Sequence, residues 1–156
     1  MTNKRFYDNR ISRWDIVSPS SQYPLLVVCP KCSKMATVHH LKDVAVCSCL
    51  SCGLSKKKEM TYRSYYWYAQ NPRDGIFDCD LWLQTSCCGD TLWAFSEMHL
   101  LFLEAYVQAT LRQRSQNQYG WSNSSLASRL PLWMKKSKNR ARVLKGIKTL
   151  KDKLNG

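Results

Sequence analysis

Residues 27–55, VVCPKCSKMATVHHLKDVAVCSCLSCGLS, decide the reading of this chain, because they spell two cysteine pairs at metal-ligand spacing. Cys29-Pro30-Lys31-Cys32 and Cys49-Leu50-Ser51-Cys52 each put two sulfurs on one tight turn. The 16 residues between the pairs fall inside the window of a four-cysteine zinc module. Zn²⁺ takes four soft ligands at about 2.3 Å, and two intervening residues let a single turn aim both sulfurs inward. The spacing therefore predicts one closed structural Zn²⁺ site on Cys29, Cys32, Cys49 and Cys52, with no open coordination position. Gly53 supplies backbone freedom directly after the second pair, whereas Ser33 stands at the matching place after the first. Cys47 offers an alternative C-x4-C pairing with Cys52, but the spacing of the first pair favours Cys49.

Outward from the cysteines, Met35-Ala36-Thr37-Val38 and Val44-Ala45-Val46 flank the polar Lys42-Asp43, which is hairpin material. His39, His40 and Asp43 then read as turn and surface residues, not as catalytic groups. Upstream, residues 1–24 run from a polar, basic start through Trp14-Asp15-Ile16-Val17 and a breaker-rich connection, and residues 25–28 enter the first cysteine turn as a strand. Downstream, Lys56-Lys57-Lys58 reads as a solvated turn before the aromatic, β-favouring segment at 60–68. Lysines beside aromatics also suit single-stranded nucleic acid. Residues 76–84 look like a further strand, and Leu92-Trp93-Ala94-Phe95 its partner across Cys87-Cys88-Gly89. A second metal site on Cys79, Cys87, Cys88 and His99 competes there with buried free thiols. Adjacent cysteines lack the reach of a two-residue spacer, which favours the thiols.

From Ser96 the period changes to that of helices. Ser96 caps a helix predicted over 97–113, and the cluster Asn123-Ser124-Ser125 starts a short one ending near Leu130, before Pro131. The last helix carries Val143, Ile147, Leu150 and Leu154 as one apolar stripe. The fold class expected is α+β, with zinc-ribbon-like antiparallel hairpins followed by a helical region. Its organisation is an N-terminal segment (1–24), a zinc ribbon and β region (25–95) and a basic helical region (96–156).

Charge separates the last part from the others. The chain of 156 residues has a net charge of +13, and residues 112–156 hold twelve of its 24 Lys and Arg against one acid, Asp152. Such asymmetry points to a polyanionic partner, either the phosphate backbone of nucleic acid or an acidic protein. The residues expected to meet it are Lys135, Lys136, Lys138, Arg140, Arg142, Lys145, Lys148 and Lys151. Apolar residues at 44% and aromatics at 12% suffice for a core and exclude disorder throughout. No apolar run approaches the roughly 20 residues of a membrane span. Eight cysteines without a secretory h-region fit a cytoplasmic metalloprotein better than a disulfide scaffold.

Several stretches together carry a resemblance: residues 81–89 (LWLQTSCCG), 92–95 (LWAF), 99–107 (HLLFLEAYV), 123–131 (NSSLASRLP) and 133–135 (WMK). With them the chain resembles a group of small bacterial proteins labelled TFIIB-type zinc-ribbon-containing, over roughly residues 25 to 150. The resemblance implies a zinc ribbon whose ligands map onto Cys29, Cys32, Cys49 and Cys52, and it implies no established activity. Ser33, Cys47 and Cys79 depart from the pattern. No motif spells a nucleophile, base and orienter, and no small-molecule substrate is evident, so the expectation is not an enzyme. It is a zinc-binding, DNA- or RNA-associated protein, the alternative being an adaptor that binds another protein.

Overall fold

The computed structural model describes residues 5–8, 23–59, 72–109, 111–114 and 130–155. The stretch around Trp14, the aromatic segment at 60–68, and residues 123–129, where a capping cluster and a short helix are expected, lie outside the described residues.

Strand β1, Arg5–Asp8, stands apart in sequence from the main sheet, which holds β2 (Leu25–Val28), β3 (Met35–Leu41), β4 (Val44–Ser48) and β5 (Ser55–Glu59) in that order. All neighbours in the main sheet are antiparallel, with Thr37 opposite Ser48 and Cys47 opposite both Val38 and Lys56. The period of two does the sorting: Ala36 and Val38 of β3, and Ala45 and Cys47 of β4, turn to the core. The lysine run is not a turn. Lys56, Lys57 and Lys58 lie in β5, an edge strand exposed on every residue, where lysines discourage pairing with another chain.

Residues 76–79 are not a strand either, because a buried carboxylate takes the backbone groups that a ladder would use. Asp74 Oδ1 accepts from the amides of Ile76 (3.0 Å) and Phe77 (2.7 Å), and Oδ2 from that of Cys79 (2.7 Å). Asp80 and Leu81 form only isolated antiparallel bridges, to Arg73 and Val27, and a continuous ladder starts at β6, Leu83–Cys87, whose partner β7, Asp90–Ala94, follows a two-residue turn. Cys88 (φ 55°) and Gly89 (φ 81°) are both left-handed, as the favoured two-residue hairpin turn requires.

Helix α1, Glu97–Gln108, begins at Ser96, whose Oγ accepts the His99 amide at 3.3 Å. It buries His99, Leu100, Leu103, Tyr106 and Val107 but leaves Leu101 and Ala105 exposed. The helix stops five residues short of the expected 113, and a strand follows residue 96 after all: β8, Leu111–Arg114, pairs in parallel with β1. Phe6 of β1 explains the switch. Its ring meets Phe102 and Tyr106 edge-on at 5.4 and 5.2 Å, so a partner about 100 residues away overrides local helix propensity.

The short α2, Leu132–Lys135, buries Met134 and leads through a 3-10 turn to α3, Arg140–Asn155. The expected stripe holds: Val143, Ile147 and Leu150 are buried and Leu154 packs against the same core. Gly146 lets α3 lie on the β6–β7 hairpin, since a Cβ there would sit 2.9 Å from Leu92 Cδ2. Polar contacts near its C-terminal end fasten the helix. Lys151 Nζ pairs with Glu104 of α1 at 3.0 Å, and Lys153 Nζ donates to the Trp82 carbonyl at 2.6 Å while Trp82 Nε1 donates to the Lys153 carbonyl at 3.3 Å.

Among the described residues, two hydrophobic clusters result. One joins β6, β7 and the helices; the other lies under the cysteine turns and includes Val38, Cys47, Ile76, Leu81 and Phe95. Strand β2 serves both, with Leu26 in the first and Leu25 and Val27 in the second.

Candidate metal centre

Both cysteine turns sit at one end of the main sheet, because each connects an incoming strand to an antiparallel return, β2 to β3 and β4 to β5. Pairing of β3 with β4 therefore sets the turns side by side. The turns are built alike. In the first, the Cys29 amide donates to the Lys34 carbonyl (2.7 Å) and the Ser33 amide to the Cys29 carbonyl (2.9 Å). In the second, the Cys49 amide donates to the Leu54 carbonyl and the Gly53 amide to the Cys49 carbonyl, both at 2.9 Å. Ser33 (φ 64°) and Gly53 (φ 76°) occupy the same left-handed position, so Ser33 adopts the backbone that its glycine counterpart adopts freely.

The four sulfurs Cys29, Cys32, Cys49 and Cys52 converge, all within 4.8 Å of one another. Cys29 Sγ lies 3.7 Å from Cys52 Sγ, and Cys32 Sγ 3.6 Å from Cys49 Sγ. A tetrahedron with ligands at about 2.3 Å has edges of about 3.8 Å, so the quartet matches a four-thiolate metal site. Disulfides are excluded at these separations, since an S–S bond is about 2.05 Å. All eight cysteines are free.

Electrostatics follow from the crowding. Burial pushes the Cys29 thiol up, but the amides of Cys32 and Lys31, with the sulfurs of Cys52 and Cys32, outweigh it and bring it down to about 6. The amide of Cys52 lowers Cys49 against the opposing effect of burial. At Cys32 the Lys34 amide pulls down, yet burial and the neighbouring sulfurs prevail and lift it to about 11. Backbone donors thus hold part of the quartet ready as thiolates. A dication would remove the mutual repulsion that opposes the rest.

Cys47 is outside the quartet. Its place in β4 turns it into the core, fully buried, and burial with the nearby Asp74 carboxylate pushes its thiol up, whereas the sulfurs of Cys49 and Cys52 converge with those of the first pair. Nor do Cys79, Cys87, Cys88 and His99 form a second centre. Cys79 is in the cluster under the cysteine turns, its thiol pushed up to about 12 by burial and by Asp74, whereas Cys87 and Cys88 belong to the helical cluster. His99 Nδ1 accepts the Phe95 amide at 3.0 Å and its ring stacks on Phe95, and burial lowers its pKa to about 3. Among the described residues, the quartet is the only group of three or more His, Cys, Asp or Glu close enough to hold a metal.

The eight cations expected to meet a polyanion separate into two kinds. Lys136, Lys138, Arg142, Lys145 and Lys148 are exposed. Lys135, Arg140 and Lys151 are half-buried; Arg140 Nη2 donates to the Ala109 carbonyl at 3.4 Å and Lys151 is held by Glu104. His39 and Asp43 are exposed on β3 and its turn, and His40 is half-buried. Sequence reasoning missed the role of Asp74, although an aspartate before glycine in Asn71-Pro72-Arg73-Asp74-Gly75 is the signal for a carboxylate that organises its own turn. No helix among the described residues is long and apolar enough to cross a membrane. No family model, curated protein or solved structure matches the chain.

Proposed function

We propose that this chain is a zinc-ribbon protein whose cysteine quartet holds one structural Zn²⁺ and whose last helix docks on the phosphate backbone of nucleic acid. An all-sulfur tetrahedral donor set suits zinc, and four protein ligands leave no position for substrate. When bound, the ion crosslinks the two turns and thereby the sheet.

The observation that carries the nucleic-acid reading is the division of α3. Val143, Ile147 and Leu150 face the core, while Arg142, Lys145 and Lys148 stand exposed, continued by Lys136 and Lys138 before the helix. Asp152 is the only acid in α3. Such a row meets phosphates without reading bases, so affinity should depend on salt and not on sequence. Two measurements test the proposal: zinc content per folded chain, and binding to random duplex DNA and RNA at low salt. A second reading, an adaptor for an acidic protein, draws support from Leu50, which protrudes fully exposed from the tip of the second cysteine turn. Absence of nucleic-acid binding at low salt would favour it.

A further inference from the structure

The turn between β6 and β7 places a residue where hindrance disfavours it. A two-residue turn with both φ values positive is normally built from Asn-Gly or Asp-Gly, and here its first position is Cys88. A non-glycine residue held left-handed is a reason to look for function. In extended strand, adjacent side chains point to opposite faces. The left-handed Cys88 instead brings its Sγ to 3.6 Å from that of Cys87, the separation found across the quartet between Cys32 and Cys49. Cys87 is buried beneath α3, its Sγ donating to the Arg142 carbonyl at 3.7 Å, and Cys88 is half-buried, so the pair opens to solvent on one side.

The donor set decides which ligand fits. No third His, Cys, Asp or Glu completes the pair among the described residues, so tetrahedral zinc has too few ligands. A two-coordinate linear metal bonded at about 2.3 Å would need its sulfurs about 4.6 Å apart. At 3.6 Å the angle at the bridging atom closes to about 100°. Pyramidal trivalent arsenic has bond angles near this value, accepts two thiolates and keeps its third position for an outward-pointing substituent. We propose that Cys87 and Cys88 form a dithiol clamp for trivalent arsenicals, a site separate from the zinc quartet. With an organoarsenic oxide, R–As=O, the two S–H bonds break and two As–S bonds form. The oxygen leaves as water carrying both thiol protons, and arsenic remains trivalent.

Phenylarsine oxide is the probe, added to the full chain, reduced and metal-replete. One equivalent per chain should bind, with a mass gain of one arsenical less one water, and the zinc content should not change. The adduct should survive glutathione and be released by a 1,2-dithiol, because two linked thiols exceed one by about a hundredfold or more. Cys88→Asn supplies the residue that the turn prefers, so it should fold as the wild type does, checked by circular dichroism, and lose retention against glutathione. Metal release in step with uptake, an adduct mapping to residues 29–52, or retention by Cys88→Asn would each overturn the clamp.

Discussion

Replacing Arg142, Lys145 and Lys148 together by alanine tests whether α3 is a phosphate-binding face. All three are exposed, whereas the helix packs through Val143, Ile147 and Leu150, so the variant should keep its fold. Five exposed cations, counting Lys136 and Lys138, give a log-log salt slope of about −4.5 on duplex DNA if each meets a phosphate. A fourfold rise in salt would then weaken binding by about 500-fold. With three of the five removed, the slope should fall to about −1.8 and the same rise should cost about 12-fold. Fluorescence anisotropy on a labelled random duplex, titrated at several potassium chloride concentrations, reads both slopes. Lys151→Met is the control that the structure supplies. Because Lys151 is held by Glu104 at 3.0 Å, its loss should leave the slope unchanged and cost about 0.2–1 kcal/mol of stability, as for a partly exposed pair. A wild type that does not bind at low salt, or a triple variant with an unchanged slope, would refute the reasoning.

Cys29→Ser or chelation should remove the metal and unfold the ribbon, since structural zinc is worth about 10 kcal/mol or more in small modules; a folded, reduced protein found metal-free by elemental analysis contradicts the zinc site. The two cysteine turns should respond oppositely to small residues: Gly53→Ala at φ 76° should cost about 1–2 kcal/mol, while Ser33→Gly at φ 64° should be neutral or stabilising, read from thermal melts. His99 is held neutral by burial, with a pKa of about 3 against an ordinary 6.5, so only the unfolded chain takes up its proton at intermediate pH. Stability from this residue is intact above about 6.5 and falls by about 1.4 kcal/mol per pH unit toward about 3. Urea melts of wild type and His99→Gln at pH 7 and 5 isolate the effect, and equal losses in both would exclude it.

What could be read from the residues was whatever short spacing or period encodes. Cys29, Cys32, Cys49 and Cys52 announce themselves by two residues between partners, the β3–β4 hairpin by its alternation, and α3 by Val143, Ile147 and Leu150. Features that depend on distant partners were invisible. Strand β8 exists through β1 and the docking of Phe6, and the residues after α1 otherwise continue a helical pattern. Lys56, Lys57 and Lys58 look like a loop until β4 pairs with them. Nor could spacing show that Glu104 and the Ala109 carbonyl engage Lys151 and Arg140 from elsewhere in the chain.

Strand β2 is only four residues long, yet Leu26 enters the helical cluster while Leu25 and Val27 enter the cluster beneath the cysteine turns. Its backbone also engages the far side: the Leu26 amide donates to the Phe95 carbonyl at 2.9 Å and the Trp82 amide to the Leu26 carbonyl at 3.0 Å. Neither half can melt without withdrawing side chains from the other. The molecule should therefore behave as one cooperative unit, and, with the proposed metal bound, the protection of helical amides against hydrogen exchange should fall when a chelator strips it from the cysteine turns.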